Sequence, residues 1–466
     1  MADGRLLVEN RVESKPFQVL STSLVKPAVE TPSEKRWQAF SNLDIIWMPF
    51  YTQAMSVYKA TEAGRDVGKR LRESLQRVLM LFYPLAGRVV TESNEHGAAG
   101  ILCNDAGAVF VEASIDADLE EFQYENFQPS FRLTGMAEAG LGDYPRLPDD
   151  PAGRPALIVQ MTHFRCGGIT LAFNWAHPVA DGFSGFHFLK SWAELARGEE
   201  VSLLPVHDRA LVKPRKPLIL SNPFTGGHSE LQTSDGEQTL PQRNVEEKLQ
   251  TTPMVQVVEI TKQGVDEMKR EVESGASGES PRLSRVCCVS AHLWRAIVKA
   301  RELPGADLSR FWTLVEGRKK MSLPAGYFGN AIGGLYANTT VSNLLNKPLA
   351  YSASLVHASI QHCTKEWYLD LVDWIEAKKD WEYPGLVLGA DHECGSSWQN
   401  RFPYYELDFG FGVPVCSARN ANAAWDGFFV FLPSSQSPEN YTAMLHATPD
   451  VMKKFLPMVH NFSYSS

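Results

Sequence analysis

The feature that most constrains the fold is a break in composition near the middle of the chain. Residues 206–250 contain a basic, proline-containing stretch, HDRALVKPRKP, followed by a polar, glycine-rich stretch, NPFTGGHSELQTSDGEQTLPQ. Such a segment is typical of a linker between domains. The break therefore predicts two domains, residues 1–205 and 251–466, joined by a crossover linker, with a ligand site between the two halves.

Both halves mix helical and strand-like patterns of apolar residues, which predicts an α/β (α+β) fold. The predicted helices are 66–82, 183–197, 263–274, 290–301, 354–379 and a short terminal helix opened by Ser437-Pro438. The predicted strands are 100–103, 108–114, 157–164, 169–175, 255–260, 404–409 and 428–433.

The strongest local pattern is a β-hairpin that leads into a polar turn. Two β-rich runs, Leu157–Phe164 and Ile169–Trp175, are joined through Cys166-Gly167-Gly168. The second run continues directly into the sequence HPVADG, His177–Gly182, and a helical pattern follows. The hairpin therefore predicts that His177 lies at the end of a strand.

His177 has two interpretations at this point. A histidine at a strand end can face a cleft, and its ordinary pKa suits a general base near neutral pH. Alternatively, His177 is a core residue and Asp181 caps the helix that follows it. The spacing of the two residues alone does not decide between these interpretations.

Charge and cysteine content restrict the classes of partner and compartment. The chain has 45 basic and 54 acidic residues, a net charge of −9, which argues against a nucleic-acid-binding face. No apolar run approaches the roughly 18 residues of a membrane span, and the N-terminus lacks an apolar signal core. The seven cysteines are scattered without a CxxC pair, as expected for reduced thiols in a cytoplasmic protein.

Two further motifs resemble parts of known metal sites but do not indicate a metal site here. Asp408-Phe409-Gly410 matches the metal-binding triplet of kinases, but the other kinase motifs are absent from the sequence. His392-Glu393-Cys394 lacks the ligand spacing of a zinc site. We therefore expect no bound metal.

Three motifs in order along the chain carry a family resemblance. They are HPVADG at His177–Gly182, YFGN at Tyr327–Asn330 and DFGFG at Asp408–Gly412. Together with FYPLAGR at Phe82–Arg88 and SNLD at Ser41–Asp44, this set resembles the plant BAHD acyl-CoA-dependent acyltransferases. Within that family, the chain resembles the shikimate/quinate hydroxycinnamoyltransferases.

The resemblance implies a fold and an activity. The fold would be two chloramphenicol-acetyltransferase-like domains with a tunnel at their interface. A monomer would transfer a hydroxycinnamoyl group from acyl-CoA, a co-substrate rather than a bound cofactor, to a hydroxyl or amine of shikimate, quinate or another acceptor. His177 would be the general base. Two alternatives remain: an aliphatic donor with a fatty ω-hydroxy or polyamine acceptor, and a non-catalytic homologue that binds CoA esters or a protein.

The resemblance also implies residues that support the site. Asp181 would pair with Arg318 and shape the loop that presents His177. The alternative for Arg318 is a solvated basic cluster with Lys319 and Lys320. Asp408 would be structural and lie away from the reacting carbon, and its motif would shape the CoA side of the tunnel.

Substrate-binding roles are implied for Ser56, Tyr58, Arg401 and Phe411. Ser56 and Tyr58 match pocket positions of hydroxycinnamoyltransferases, or else they are half-buried strand residues. Phe411 replaces the usual tryptophan, so the indole N–H donor is lost, and Val413 lacks the usual charge. Arg401 stands one residue later than the family's carboxylate-binding arginine, so it either reaches the acceptor or faces solvent.

Overall fold

The computed structural model describes residues 18–47, 51–60, 66–90, 99–122, 154–223, 253–275, 282–378, 391–419 and 426–461. The strands of these residues are β1 (Gln18–Val25), β2 (Trp37–Ala39), β3 (Tyr51–Tyr58), β4 (Arg88–Val90), β5 (Gly100–Leu102), β6 (Ala108–Ile115), β7 (Arg154–Pro155), β8 (Leu157–Phe164), β9 (Ile169–Ala176), β10 (Met254–Ile260), β11 (Leu308–Glu316), β12 (Ile332–Thr340), β13 (Glu393–Trp398), β14 (Cys416–Ala418), β15 (Phe428–Pro433) and β16 (Tyr441–Ala447).

Helices alternate with the strands in both halves of the chain. They are α1 (Asn42–Ile45), α2 (Val67–Leu81), α3 (Gly182–Ala196), α4 (Lys262–Ser274), α5 (Arg285–Arg301), α6 (Val341–Asn346), α7 (Leu349–His362), α8 (Lys365–Ala377) and α9 (Pro449–Val459). None of these helices is long and apolar enough to span a bilayer.

The strands form two large mixed sheets and one small sheet. The first sheet has the order β1-β6-β8-β9-β3-β14, and the second has the order β10-β16-β15-β13-β11-β12. The small sheet is β2-β5-β4-β7. Each large sheet is built mainly from one half of the chain, as the composition break predicts.

One strand of the second half joins the sheet of the first half. β14 pairs antiparallel with β3, with Cys416 opposite Val57 and Ala418 opposite Met55. One buried core also extends across both halves, from Trp47 and Trp175 to Trp312 and Phe409. The division at residues 205 and 251 stays a prediction, and the two halves are joined by more than the crossover segment.

The segment predicted as a linker begins with packed residues. Val206 forms a β-bridge with Tyr327, and the Arg209 side chain is buried. Residues 224–250 lie outside the described part of the chain. The beginning of this segment therefore belongs to the interface between the halves.

The predicted hairpin is present as β8 and β9, and it fixes the position of His177. β9 lies between β8 and β3, and all eight of its residues are buried. Its last residue, Ala176, lies opposite Tyr51 of β3. His177 therefore follows a strand that is held on both edges, which gives its backbone a fixed starting point.

Three predicted elements are wrong. The single helix predicted over 354–379 is two helices, α7 and α8, because α7 ends at His362 and Thr364 caps the start of α8. Residues 404–409 were predicted as a strand, but they form a 3-10 turn, Tyr404–Glu406, and an irregular segment. The terminal helix begins at Pro449 rather than after Ser437-Pro438, because residues 441–447 form β16. β16 pairs with both β10 and β15, so tertiary pairing outweighs the local cap-and-proline signal at Ser437.

Candidate active site

His177 lies in a tight turn between β9 and α3. The backbone N–H of Ala180 donates to the His177 carbonyl at 3.2 Å. The half-buried His177 ring stacks on Trp47, with ring centroids 4.5 Å apart and planes inclined by 20°. Its Nδ1 atom is buried and has no hydrogen-bond partner among the described residues. The turn and the stacking therefore hold an imidazole whose Nδ1 is unpaired.

The His177 imidazole is neutral at physiological pH. Burial and, to a smaller extent, the positive charge of Arg419 lower the pKa of His177 to about 4, although the charge of Asp181 opposes the shift. A neutral imidazole can accept a proton, which a general base must do.

Asp181 and Arg318 form a buried, bidentate ion pair across the two halves. The two Arg318–carboxylate distances are 2.8 and 2.9 Å. The same carboxylate accepts hydrogen bonds from the backbone N–H groups of Ser184 and Ala331, at 2.9 and 3.0 Å. Burial opposes ionisation of Asp181, but Arg318 and these hydrogen bonds outweigh it and lower its pKa. The pair fixes the turn that follows His177 to the second half.

Arg318 is not part of a solvated basic cluster, because only 4% of it is exposed. Its guanidinium also donates to the hydroxyl of Ser184 at 2.7 Å and to the Gly329 carbonyl at 2.9 Å. One arginine thus connects the start of α3 with the YFGN segment.

A second network holds the His177 backbone directly. The Asn330 amide donates to the His177 carbonyl at 2.8 Å and to Asp44 at 2.9 Å. Asp44 forms an ion pair with Arg209 at 2.6 Å, and Arg209 donates to the Val179 carbonyl at 2.8 Å. Asp44 and Arg209 are both buried. Through these contacts, the segments that contain Asp44, Asn330 and Arg209 all hold the turn at His177.

Four residues of the site have no role that the sequence alone predicts: Trp47, Asp44, Asn330 and Arg209. Asp44 and Asn330 are the last residues of the SNLD and YFGN motifs, so the motifs themselves contained the signal. Trp47 follows Asp44 by three residues, and no pattern marks it. Arg209 stands in the segment read as a linker, where a basic residue is expected to face solvent.

Asp408 organises the DFGFG loop. Its carboxylate accepts hydrogen bonds from the backbone N–H groups of Gly410 and Gly412, at 2.7 and 3.0 Å. Its carbonyl accepts a hydrogen bond from Arg197 at the end of α3. Gly410 and Gly412 have φ angles of +90° and +100°, which L side chains rarely adopt. The carboxylate of Asp408 therefore stabilises a turn that needs glycine.

Ser56 and Tyr58 contact the second half rather than His177. The Ser56 hydroxyl lies 3.2 Å from that of Ser417, and the Tyr58 hydroxyl donates to the Leu407 carbonyl at 2.8 Å. The Tyr58 ring packs edge-on against Phe411, with centroids 4.9 Å apart. Tyr51 lies opposite Ala176, so Ser56 is about 17 Å further along β3 at the usual rise per residue.

Arg401 is exposed in the turn after β13. Phe402 packs on Phe186 of α3, with centroids 5.0 Å apart. Sequence patterns left two alternatives for Arg401, contact with the acceptor or exposure to solvent. In this structure its side chain faces solvent. Its role toward an acceptor stays a prediction, as do the substrate-binding roles of Ser56, Tyr58 and Phe411.

The structure therefore defines a class of protein: a two-domain α/β fold with a neutral histidine at the interface of the halves. The model of the Transferase family matches residues 15–460. The chain belongs to this family, the BAHD acyltransferases, and is an acyl-CoA-dependent O- or N-acyltransferase. The predicted family, fold class and enzyme class are confirmed.

Curated plant relatives match the chain over nearly its whole length. Hydroxycinnamoyltransferase 1 of Oryza sativa subsp. japonica is 30% identical over 95% of this chain and 98% of its own. Shikimate O-hydroxycinnamoyltransferase of Nicotiana tabacum is 29% identical over 96% and 100%. Hydroxycinnamoyl-CoA:5-hydroxyanthranilate N-hydroxycinnamoyltransferase HHT4 of Avena sativa is 29% identical over 95% and 98%.

Solved structures share the fold at lower identity. Vinorine synthase superposes with a TM-score of 0.69 at 21% identity, over 97% of this chain and 100% of its own. TRI101 of F. sporotrichioides, solved with coenzyme A and T-2, gives 0.74 at 17% identity over 89% and 96%. These likenesses establish the fold.

Proposed function

We propose that the chain transfers a hydroxycinnamoyl group from its CoA thioester to a hydroxyl or amine acceptor, with His177 as the general base. The observation that carries the proposal is the neutral, half-buried imidazole of His177, stacked on Trp47 and tied to the second half through Asn330. The names of the relatives support the acyl group, and they include both an O-transferase and an N-transferase.

The reaction would proceed in two proton transfers. His177 takes the proton of the acceptor O–H or N–H as the acceptor attacks the thioester carbonyl, because the nucleophile is weak until that proton is removed. The resulting imidazolium gives the proton to the sulfur of CoA as the carbon–sulfur bond breaks. The acyl group ends on the acceptor, CoA leaves as the thiol, and His177 returns to its neutral form.

The two buried networks act on the position of His177. Asp181 and Arg318 fix the turn after it, and Asn330 holds its carbonyl. We propose that these residues position the base, and that substrates reach it through a tunnel between the two sheets. A small displacement of a base can cost a large factor in rate, so positioning residues should affect kcat more than KM.

A direct assay tests this function. The full chain is incubated with p-coumaroyl-CoA, acetyl-CoA or malonyl-CoA and with shikimate, 5-hydroxyanthranilate, spermidine or an ω-hydroxy fatty acid. Thiol release and product mass are measured. We expect transfer from p-coumaroyl-CoA, and a loss of kcat of about 10²- to 10⁴-fold in His177→Ala. His362→Ala, on an exposed histidine at the end of α7, is the matched control and should retain activity.

Other outcomes support the alternatives. Preference for acetyl-CoA, for spermidine or for the ω-hydroxy acid would keep the family but replace the hydroxycinnamoyl assignment. Full activity of His177→Ala would contradict the mechanism. No product with any pair of substrates would favour a non-catalytic protein that binds CoA esters.

We also propose that the enzyme works as a monomer in the cytoplasm. The support is the state of the cysteines: all seven are free thiols, and only Cys166 is exposed. A mass near 51.9 kDa by light scattering is expected for the monomer.

A further inference from the structure

Two tryptophans, one from each half of the chain, lie beside the ring of His177. Trp47 stacks on His177 with ring centroids 4.5 Å apart. The Trp312 ring lies 6.4 Å from the Trp47 ring and is inclined to it by 33°. Trp47 is 4% exposed and Trp312 is 2% exposed, and both belong to the core that spans the two halves. The two indoles are therefore part of the immediate surroundings of the proposed base.

The indole N–H groups of Trp47 and Trp312 are buried and have no hydrogen-bond partner among the described residues. Buried polar atoms are rarely left unpaired in the working state of a protein, and an indole N–H can only donate. Five other tryptophans of the described residues donate to a hydroxyl or carbonyl oxygen at 2.8–3.3 Å: Trp175, Trp192, Trp294, Trp367 and Trp398. Two unpaired donors next to His177 therefore indicate an oxygen atom that arrives with a substrate.

The position of Trp47 is coupled to that of the base. Its backbone N–H donates to the Asp44 carbonyl at 3.2 Å. The Asp44 carboxylate accepts a hydrogen bond from the Asn330 amide, and the same amide donates to the His177 carbonyl. One network therefore holds both the stacked indole and the imidazole beneath it.

The position of Trp312 is fixed by the second sheet. Trp312 lies in β11, opposite Tyr336 of β12 and Gly395 of β13, so its backbone is paired on both edges. A Cβ added at Gly334 would lie 2.5 Å from Nε1 of Trp312. The indole nitrogen therefore occupies room that only a glycine leaves. Donors that are held in place before the reaction need no rearrangement when charge develops.

We propose that the indole N–H groups of Trp47 and Trp312 donate hydrogen bonds to the thioester carbonyl oxygen and stabilise its negative charge in the tetrahedral intermediate. This assignment deepens the function proposed above and rests on it. As the acceptor bonds to the carbonyl carbon, one electron pair of the C=O bond moves onto the oxygen. Both N–H groups keep their protons. When the carbon–sulfur bond breaks, the pair returns and the carbonyl forms again.

The reaction itself brings this oxygen close to the two indoles. The attacking atom lies within hydrogen-bond reach of His177, about 3 Å, and in the intermediate it shares its carbon with the oxygen. The oxygen therefore lies beside the atom that His177 contacts, and the Trp47 ring is 4.5 Å from the His177 ring. The carbonyl oxygen also enters with every acyl-CoA, whereas an amine acceptor such as spermidine contains no oxygen. In a buried site, the attraction between the N–H groups and the developing charge is weakly screened.

Steady-state kinetics on Trp47→Phe and Trp312→Phe test the proposal. With p-coumaroyl-CoA, we expect kcat to fall about 10²- to 10³-fold in each variant. The KM for p-coumaroyl-CoA should change less than about threefold, since the full charge on the oxygen develops only in the transition state. Trp294→Phe is the matched control, because its N–H is paired with Ser309 in the core of the second half. Its kcat should change less than about threefold.

An isostere separates the N–H group from the size of the ring. 3-(3-Benzothienyl)alanine carries sulfur in place of the indole N–H, and it is introduced at position 47 or 312 of the full chain. We expect the same loss of kcat as in the phenylalanine variants, and an equal loss for every acceptor, because the oxygen belongs to the acyl-CoA. Full activity of the isosteres, or a loss that is confined to one acceptor, would overturn the proposal.

The absorption of bound p-coumaroyl-CoA tests the hydrogen bonds without turnover. Its thioester is conjugated with the aromatic ring, so hydrogen bonds to the carbonyl oxygen shift the absorption band to longer wavelength. We expect this shift on binding to the full chain, and a smaller shift in Trp47→Phe and Trp312→Phe. A shift that depends on the two indoles without any acyl transfer would leave the carbonyl site standing and reject the enzymatic function. Transfer with the same shift in all three proteins would reject the carbonyl site alone, and so would the absence of any shift.

Discussion

At the scale of single residues, two aspartate–arginine pairs differ in burial and therefore in how much the loss of one partner lowers the free energy of unfolding. The side chains of Arg318 and Asp181 are 5% and 0% exposed, whereas those of Arg165 and Asp116 are 50% and 91% exposed. Removing one partner of a buried pair leaves an uncompensated charge, and an exposed partner is replaced by water.

We expect Asp181→Asn to lower the free energy of unfolding by about 3–5 kcal/mol. Asp116→Asn should change it by less than about 1 kcal/mol. Urea denaturation of the two variants measures both values. In Asp181→Asn we also expect kcat to fall more than KM rises, since the turn after His177 loses its anchor. Equal stability of the two variants would contradict the expectation that the buried pair stabilises the fold more than the exposed pair does.

The sequence was sufficient to find His177, because a hairpin followed by HPVADG is a local pattern. The two interpretations of Asp181 turn out to be compatible, since one carboxylate caps α3 and also pairs with Arg318. Trp47 carries no local signal at all. What distinguishes it is its stacking on the His177 ring, which only the folded arrangement of the chain reveals.

At the scale of elements, the DFGFG loop depends on two glycines with positive φ angles. Gly412 has a φ of +100° with open space where a Cβ would stand, and Gly198, after α3, has a φ of +81° with the same open space. An alanine at either position meets backbone strain without a clash. The two glycines therefore form a matched pair that differs only in location.

Alanine substitutions at these glycines should separate strain from function. We expect Gly412→Ala and Gly198→Ala each to cost about 1–2 kcal/mol of stability. Only Gly412→Ala should raise the KM for acyl-CoA, because the loop of Asp408 is expected to shape the CoA side of the tunnel. Thermal unfolding and steady-state kinetics provide the two measurements. An unchanged KM in Gly412→Ala would remove the loop from the CoA-binding region.

Elements with local signals were predicted well, and elements made by distant pairing were not. The helix expected at 66–82 is Val67–Leu81, because its apolar residues recur at helical spacing. The short strand β14 was not predicted, since it exists through its pairing with β3. Ser56 and Ser417, which meet across this pair, are 361 positions apart in the chain.

At the scale of the whole molecule, buried neutral histidines make stability depend on pH. Burial lowers the pKa values of His207 and His292 to about 4, and burial together with Arg419 lowers that of His446 to about 3. The unfolded chain has histidine pKa values of about 6.5. As the pH falls below that value, the unfolded chain takes up protons before the folded chain does, and the folded state loses stability.

Acidification from pH 7 to 5 should therefore lower the free energy of unfolding by several kcal/mol, since each pKa unit corresponds to about 1.4 kcal/mol. Urea titrations at a series of pH values measure this slope. His292→Gln should reduce the slope, whereas His362→Gln, at an exposed position, should leave it unchanged. A flat profile over this range would mean that the buried histidines are protonated in the folded state.

The pairing of β14 with β3 also makes loop length a determinant of which side chains meet across this pair of strands. Side chains alternate between the two faces of a sheet, so a shift of one residue in register turns every side chain of a strand to the opposite face. The loop between Asp408 and Cys416 sets that register, with Ala418 opposite Met55. Gain or loss of a single residue there would turn Ser417, which meets Ser56, to the opposite face of the sheet. Evolution could thus exchange the side chain that faces Ser56 by an insertion or a deletion, with no substitution in β14 itself.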